Sequence, residues 1–235
     1  MLVLLHGACH GAWCWDRVRP LLEQAGRDVI TPTLTGLGER EDELSPDVGL
    51  STHVDDVVRV LEQENLSDVV LVGHSYAGML LPSVAARTAD RLARLVFLDA
   101  FVPKDGDRCF DLMPAEAAEW MRQQAQADGD GWRFPGWPLE MLGIVADEDV
   151  RWAGPQLTVH PLKTYEEAVR VPSGDWERIP RTYVFCDEPS FGGVFEPFAE
   201  AASVEPGWDR VDIAGGHEPF ITAPEALSRM LLELG

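Results

Sequence analysis

The chain has 235 residues, 46% of them hydrophobic, which suits one globular unit with a sizeable core and room for an inserted subdomain. Its formal net charge is −21 and its only lysines are Lys104 and Lys163, a balance that repels phosphate backbones and anionic lipid and argues against nucleic-acid and membrane-surface roles. No apolar stretch approaches the ~20 residues of a membrane span, and the opening MLVLLHG lacks the basic start of a signal peptide.

MLVLL (1–5) reads as a short buried strand ending at His6-Gly7, and a helix is expected over 15–25, with Gly26 to stop it. RDVITP (27–32) is the next strand, and 52–64 is a helix with Val54, Val57, Val58 and Leu61 on one face. DVVLVG (68–73) is a continuous apolar strand, followed by a helix with Pro82 near its start. Strands then follow at 92–100, 181–187 and 209–216, and a helix at 224–234 closes the chain. Near-continuous apolar strands separated by helices imply an α/β fold, a mostly parallel sheet of about six strands covered on both faces. The stretch 104–180 departs from this pattern. It is rich in Trp, Pro and Gly, shows no clear strand, contains a helical piece at 114–126, and reads as an insertion over one end of the sheet.

The four cysteines, Cys9, Cys14, Cys109 and Cys186, are scattered and show no zinc-ligand spacing. Reduced thiols in a cytoplasmic protein are the simplest account, and no metal or organic cofactor is expected.

In a parallel sheet, ligands bind outside the carboxyl ends of the strands. Ser75 lies there, in GHSYAG (73–78), after a buried strand and before a helix. The pattern is G-x-S-x-G with Ala77 in place of the last glycine. A sharp strand-to-helix turn of this kind lifts a serine hydroxyl above the sheet, with Gly73 and Ala77 small where backbone approaches. Ser75 is therefore the candidate nucleophile, and the competing reading is a plain turn. Its base is expected to be His217, in GGHEPF after the last strand, where the chain order serine, acid, histidine places it. His6, His10 and His74 read as structural, His53 as an exposed helix start, and His160 as a surface histidine of the insertion, with a substrate contact as the alternative. Oxyanion donors are expected from the N–H of Tyr76, after the nucleophile, and from the loop after the first strand, where Ala8 is chosen.

The segments LVLLHGACHGAWCWDRVRPLLEQAG (2–26), LVGHSYAG (71–78) and GGHEPF (215–220) resemble the α/β-hydrolase fold, and the first is similar to the plant methyl esterase and hydroxynitrile lyase family. The resemblance is strong over about the first hundred residues and weak in the insertion. It implies that 1–103 and 181–235 form the core, that 104–180 form a lid, and that Ser75 and His217 work with a carboxylate. Hydroxynitrile lyases carry Thr at the position of Gly7 and Lys at that of Glu218, so the lyase activity is not expected. The acid also departs from the family. Its usual place after the penultimate strand falls on Pro189, with Asp187 and Glu188 displaced nearby. Asp99, at the tip of the strand after the nucleophile helix and four residues before Pro103, stands where some haloalkane dehalogenases of the fold carry theirs. Asp99 is taken as the acid, with Asp187 as the alternative.

The expected activity is a serine hydrolase cleaving a small hydrophobic carboxylic ester through an acyl-enzyme. A specialised thioester, lactone or C–C bond hydrolase or lyase, or a slow-turnover small-molecule receptor, is the alternative. A serine nucleophile argues against the dehalogenase and epoxide-hydrolase chemistries of the fold, which use a carboxylate. Trp13, Phe101, Trp120 and Trp137 are candidates for an apolar substrate pocket, some aromatics of the insertion serving as its core instead.

Overall fold

The structure is a computed structural model that describes residues 1–188 and 191–234, with the side chains at 175 and 191 excepted. The strands in chain order are β1 (Leu2–Leu5), β2 (Val29–Ile30), β3 (Val69–His74), β4 (Leu92–Leu98), β5 (Arg133–Phe134), β6 (His160–Pro161), β7 (Arg181–Cys186) and β8 (Trp208–Ile213). Six of them form one sheet in the order β2-β1-β3-β4-β7-β8, and every neighbouring pair is parallel.

The continuous apolar runs have a direct cause in this layout. Successive side chains of a strand point to opposite faces. Val3, Leu5, Leu71, Leu95, Phe97 and Tyr183 enter one buried cluster, while Leu2, Leu4, Val70, Val72, Val96 and Val184 enter the other. The helices Leu50–Gln63, Leu81–Thr88 and Glu196–Val204 cover the first face, through Val54, Val57, Leu61, Val84 and Ala199. Arg19–Gln24 and Pro224–Leu234 cover the second, through Leu22, Leu227 and Leu231. No helix among the described residues is long and apolar enough to cross a membrane.

Several elements differ from expectation. The helix expected over 15–25 is a 3-10 turn, Ala12–Trp15, and then a helix beginning at Arg19 with Pro20 in its first turn, where a missing N–H leaves no bond unmade. The helix Glu196–Val204 carried no clear sequence signal. Residues 104–180 do contain strands. β5 and β6 pair antiparallel but span two residues each, too short for any alternation to register. This segment has no core of its own. Phe110, Met121, Phe134 and Tyr165 belong to the same cluster as the β1, β3 and β4 side chains.

Three loops leave the carboxyl edge of the sheet through left-handed backbone at residues other than glycine: Cys9 (φ 66°), Ser75 (φ 53°) and Asp99 (φ 41°). The turn at Ser75 brings its helix against the chain following β4. A Cβ at Gly78 would collide with the Phe101 carbonyl oxygen and lie 2.9 Å from Ala100 Cβ. The close approach therefore falls at Gly78, which tolerates no side chain, as well as at Gly73, whose added Cβ would lie 2.9 Å from the Ala77 carbonyl oxygen. Gly78→Ala is expected to lower unfolding free energy by about 1–3 kcal/mol, as overpacking against backbone does. Urea unfolding would register this as a lower midpoint at constant slope, and an unchanged midpoint would contradict the packing described.

Candidate active site

Ser75, His217 and Asp99 meet above the carboxyl edge of the sheet. His217 Nδ1–H donates to Asp99 Oδ2 at 2.7 Å, and Nε2 accepts the Ser75 hydroxyl at 2.9 Å. Asp99 and His217 are both almost wholly buried. Each side chain comes from a different strand end: Ser75 from β3, Asp99 from β4, and His217 from the loop after β8. The ring of Phe195 lies flat on the His217 imidazole, 4.8 Å between centroids and 5° from parallel, and restricts its rotation. His74 Nε2–H donates to the His217 carbonyl at 2.8 Å and holds the loop from below. Asp187 takes another place. It is exposed, and its Oδ1 accepts the Gly215 N–H at 3.3 Å. Pro189 lies outside the described residues.

The loop after β1 lies beside the serine. A Cβ on Gly7 would sit 3.1 Å from Ser75 Cβ and 2.8 Å from His74 Nδ1, so the position where hydroxynitrile lyases carry Thr has no room for a side chain without displacement. The peptide between Ala8 and Cys9 is held at both ends. His10 Nδ1–H donates to the Ala8 carbonyl at 2.7 Å, and the Cys9 N–H donates to His160 Nδ1 at 3.2 Å. The Tyr76 side chain turns down into the core, where its hydroxyl donates to His53 Nδ1 at 3.0 Å, leaving its backbone as the part beside Ser75.

A cavity of about 650 Å³, counting the open solvent at its mouth, lies over Ser75 and His217. Its walls include Ala8, Phe101, Met113, Trp137, Leu142 and Phe195, and its polar lining includes Glu218. Of the four expected pocket aromatics, Phe101 and Trp137 line it. Trp13 does not, because the 3-10 turn carries its ring away to stack on His10 at 5.1 Å and against Trp152 at 5.4 Å. Trp120 does not either. It stacks behind Trp137 at 5.0 Å and supports that ring from the helix Ala115–Asp128. Phe195 and Met113 went unsuspected, since they lie in irregular chain where no periodicity marks a facing direction.

Two further expectations are corrected. His53 is fully buried rather than an exposed helix start, bonded to Tyr76 and to the Thr35 carbonyl. His160 is fully buried rather than superficial, joining the 104–180 segment to the Cys9 N–H. Among the described residues, His74, His217 and Glu218 could each bring one ligand atom to a metal ion, all within 4.8 Å of one another. Such an ion would have to take a His217 nitrogen already bonded to Asp99 or Ser75. The four cysteines are free and buried.

The Alpha/beta hydrolase family matches residues 2–230. A carbendazim hydrolyzing esterase of Nocardioides sp. (strain SG-4G) is 36% identical over 242 residues, covering 99% of this chain and 98% of the relative. Methylesterase 1 of Arabidopsis thaliana is 34% identical over 136 residues, covering 54% of this chain and 51% of that protein. Among solved structures, an extracellular alpha/beta-hydrolase from a Paenibacillus species, described as homologous to tobacco salicylic acid binding protein 2, superposes with a TM-score of 0.86 at 24% identity, over 100% of this chain and 98% of that one, a likeness of fold.

Burial has a consequence that can be measured. Desolvation holds five histidines below their ordinary value: His6 to about 3, His10 and His53 to about 4, with His74 and His160 lowered in the same direction. Below pH 6.5 the unfolded chain binds protons that the folded chain refuses. This stabilisation is complete above pH 6.5 and is lost as pH falls below it, for His10 and His53 down to about 4, at about 1.4 kcal/mol per pH unit for a histidine that stays neutral while its unfolded counterpart is protonated. Glu218 and Asp16, both raised by burial, act in the opposite sense. The urea midpoint is expected to fall steeply from pH 7 to pH 5. A flat midpoint across that interval would mean that these histidines are not held neutral.

Proposed function

The chain belongs to the Alpha/beta hydrolase family, and we propose that it is a serine-dependent carboxylic-ester hydrolase acting on small, largely apolar esters. The observation that carries this is the unbroken hydrogen-bonded line from Asp99 through His217 to Ser75 at the floor of an apolar cavity. The relatives named for carbendazim hydrolysis and as methylesterases support an ester, and support a small alkoxy group such as methoxy as the leaving group. The net charge of −21 favours neutral substrates over anionic ones.

In this mechanism the Ser75 oxygen adds to the ester carbonyl carbon while His217 Nε2 takes its proton. Asp99 keeps the Nδ1–H tautomer and stabilises the imidazolium. The N–H groups of Ala8 and Tyr76 receive the negative charge that develops on the carbonyl oxygen. Collapse of the tetrahedral intermediate expels the alkoxide, which takes the proton from His217 and leaves as the alcohol. Water then enters and gives a proton to His217. Its oxygen attacks the acyl carbon, and Ser75 departs with that proton, releasing the carboxylic acid. Residues 104–180 act as the cap that supplies Met113, Trp137 and Leu142 to the substrate walls. The four unpaired, buried thiols support a reducing, cytoplasmic setting.

With p-nitrophenyl acetate as substrate, Ser75→Ala and Asp99→Asn are each expected to lower kcat by about 10³–10⁵-fold. Asp187→Asn should stay within about threefold of wild type, since it removes only a loop contact. Loss of activity in Asp187→Asn with retention in Asp99→Asn would overturn the assignment of the acid. Wild-type inactivity on this ester and on short methyl esters would overturn the ester-hydrolase reading.

The cavity wall makes a separate prediction. Trp137→Ala should open space beneath Trp120 and raise kcat/KM for p-nitrophenyl octanoate relative to the acetate by about tenfold, the scale of about two extra buried methylenes. An unchanged ratio would place the acyl chain elsewhere.

A further inference from the structure

Glu218 follows His217 directly and takes no part in the mechanism above. It is buried, lines the cavity, and its Oε2 is sealed from solvent without a hydrogen-bond partner. His10 Nε2 lies 3.6 Å from it and is likewise sealed and without a partner, while nitrogens of His74 and His217 come within 4.8 Å of a Glu218 oxygen. This pairing constrains the chemistry. His10 Nδ1 must carry a hydrogen, because it meets the Ala8 carbonyl at 2.7 Å and a carbonyl only accepts. A neutral His10 therefore presents a bare lone pair at Nε2. If Glu218 were ionised as well, two acceptors would face each other in a dry site with nothing between them, the costly arrangement for buried polar groups. One proton shared by the two removes the conflict.

We propose that Glu218 and His10 form a second carboxyl–imidazole pair that positions the oxyanion loop: the Glu218 carboxyl donates to His10 Nε2, and His10 Nδ1–H thereby holds the Ala8 carbonyl. This rests on the ester-hydrolase reading, in which the Ala8 N–H receives the developing oxyanion.

The loop has need of such a hold. Cys9 sits at φ 66°, left-handed backbone that costs a residue other than glycine about 1–2 kcal/mol. The Ala8–Cys9 peptide is gripped at its N–H by His160 and at its carbonyl by His10. Without the second grip the Ala8–Cys9 peptide plane is free to rotate about the first, which loosens ψ of Ala8 and with it the residue whose N–H, on the adjoining Gly7–Ala8 peptide, faces the serine. The separation of 3.6 Å is a few tenths of an ångström beyond hydrogen-bond length, within reach of a small turn of the carboxyl. Burial places the proton on the carboxyl. It raises Glu218 well above the usual carboxylate range and lowers His10 to about 4. His10 is itself clamped, stacked on Trp13 at 5.1 Å and edge-on to Phe220 at 6.0 Å. The pair repeats the logic of Asp99 and His217, a carboxyl fixing the tautomer of an imidazole, but acts on backbone instead of on the nucleophile. Glu218 and His10 are thus positioning residues.

The test compares Glu218→Leu, which removes the donor, with Glu218→Gln, whose amide N–H donates to the same nitrogen. His10→Phe and the Glu218→Leu/His10→Phe double variant complete a cycle. Steady-state rates are measured with p-nitrophenyl acetate. The rate of Ser75 phosphorylation by diethyl p-nitrophenyl phosphate is measured in parallel, because it draws on the same amides without turnover. Its end point counts folded sites, so partial unfolding lowers amplitude and leaves the rate constant intact. Glu218→Leu is expected to lower kcat about 10–100-fold, up to the lower end of the loss of a whole oxyanion donor, with KM within about threefold. Glu218→Gln should recover kcat to within about threefold, and the double variant should fall no further than His10→Phe alone. The phosphorylation rate should follow the same order. The proposal is overturned if Glu218→Gln falls as far as Glu218→Leu, if KM rises while kcat holds, if Glu218→Leu has no effect, or if the two single losses multiply. Should the wild type hydrolyse no ester yet be phosphorylated on Ser75, the ester reading fails and the phosphorylation order alone decides the positioning role. Absence of phosphorylation as well would overturn both.

Discussion

The site depends on a backbone constraint at Ser75, where the chain turns from β3 into a helix through left-handed φ. A serine pays about 1–2 kcal/mol for that conformation, and only surroundings that leave no alternative will hold it there. The sheet register provides them. Gly73 lies opposite Leu5 of β1 and Phe97 of β4, so β3 is pinned on both sides up to its last residues. Beyond the strand, Gly78 presses its backbone against the chain at Ala100 and Phe101, and the Phe101 N–H donates to the Ser75 carbonyl at 3.3 Å. The turn at Ser75 and the turn at Asp99 are thus packed against each other. The same contact that strains the serine brings the carboxylate within reach of the histidine between them.

The loop after β1, which lies beside the serine, is built on a related principle, with different anchors. Its grip comes partly from the 104–180 segment: the Cys9 N–H meets His160, the Cys9 carbonyl accepts from the Thr158 N–H at 2.9 Å, and the Thr158 hydroxyl accepts from the Gly38 N–H at 3.2 Å. His160 in turn donates to Thr164, whose hydroxyl caps the Pro161 carbonyl. This explains why the segment shares the main apolar cluster and lacks one of its own. Its inner edge is a structural wall of the site, bonded into the loop that faces the serine, while its outer helix contributes the aromatic backing of Trp120 behind Trp137.

The sequence discloses what is periodic or locally strained. Continuous apolar runs require burial on both faces, so the parallel sheet followed from such runs alternating with helices, β1, β3 and β4 being the plainest of them. Ser75 and His217 followed from small residues and glycines crowded at strand ends, a pattern that an ordinary turn rarely needs. The histidines were misjudged for a physical reason. His53 lies in the first turn of an amphipathic helix, where position along the helix gives no hint that the Tyr76 hydroxyl waits beneath it, a partner 23 residues away. His160 bonds to a loop 151 residues distant. Long-range polar partners leave no trace in local pattern, and the same holds for Trp13 and Trp120, whose ring directions depend on a 3-10 turn and on a neighbouring indole.

The carboxylate bonded to His217 illustrates why chain position is a weak guide and strand adjacency a strong one. Leu98 of β4 lies opposite Val184 of β7, and the Asp99 N–H donates to the Val184 carbonyl at 2.7 Å. The tips of these two strands are therefore neighbours, at the spacing of about 4.8 Å that separates strands in any sheet. A carboxylate rooted at either tip approaches the same imidazole nitrogen from nearly the same side. The β4 and β7 tips are 87 residues apart in sequence, the separation between Asp99 and Cys186, but only one strand spacing apart in space. What the imidazole requires is an acceptor at Nδ1, buried so that the bond is not surrendered to water, and a chain conformation that aims it. Asp99 meets all three conditions: 2.7 Å from Nδ1, 3% exposed, and left-handed at a strand end where aspartate tolerates that backbone better than most residues. Asp187 remains exposed to solvent and bonded to the Gly215 N–H, which leaves it a brace for the histidine loop rather than a partner of the ring.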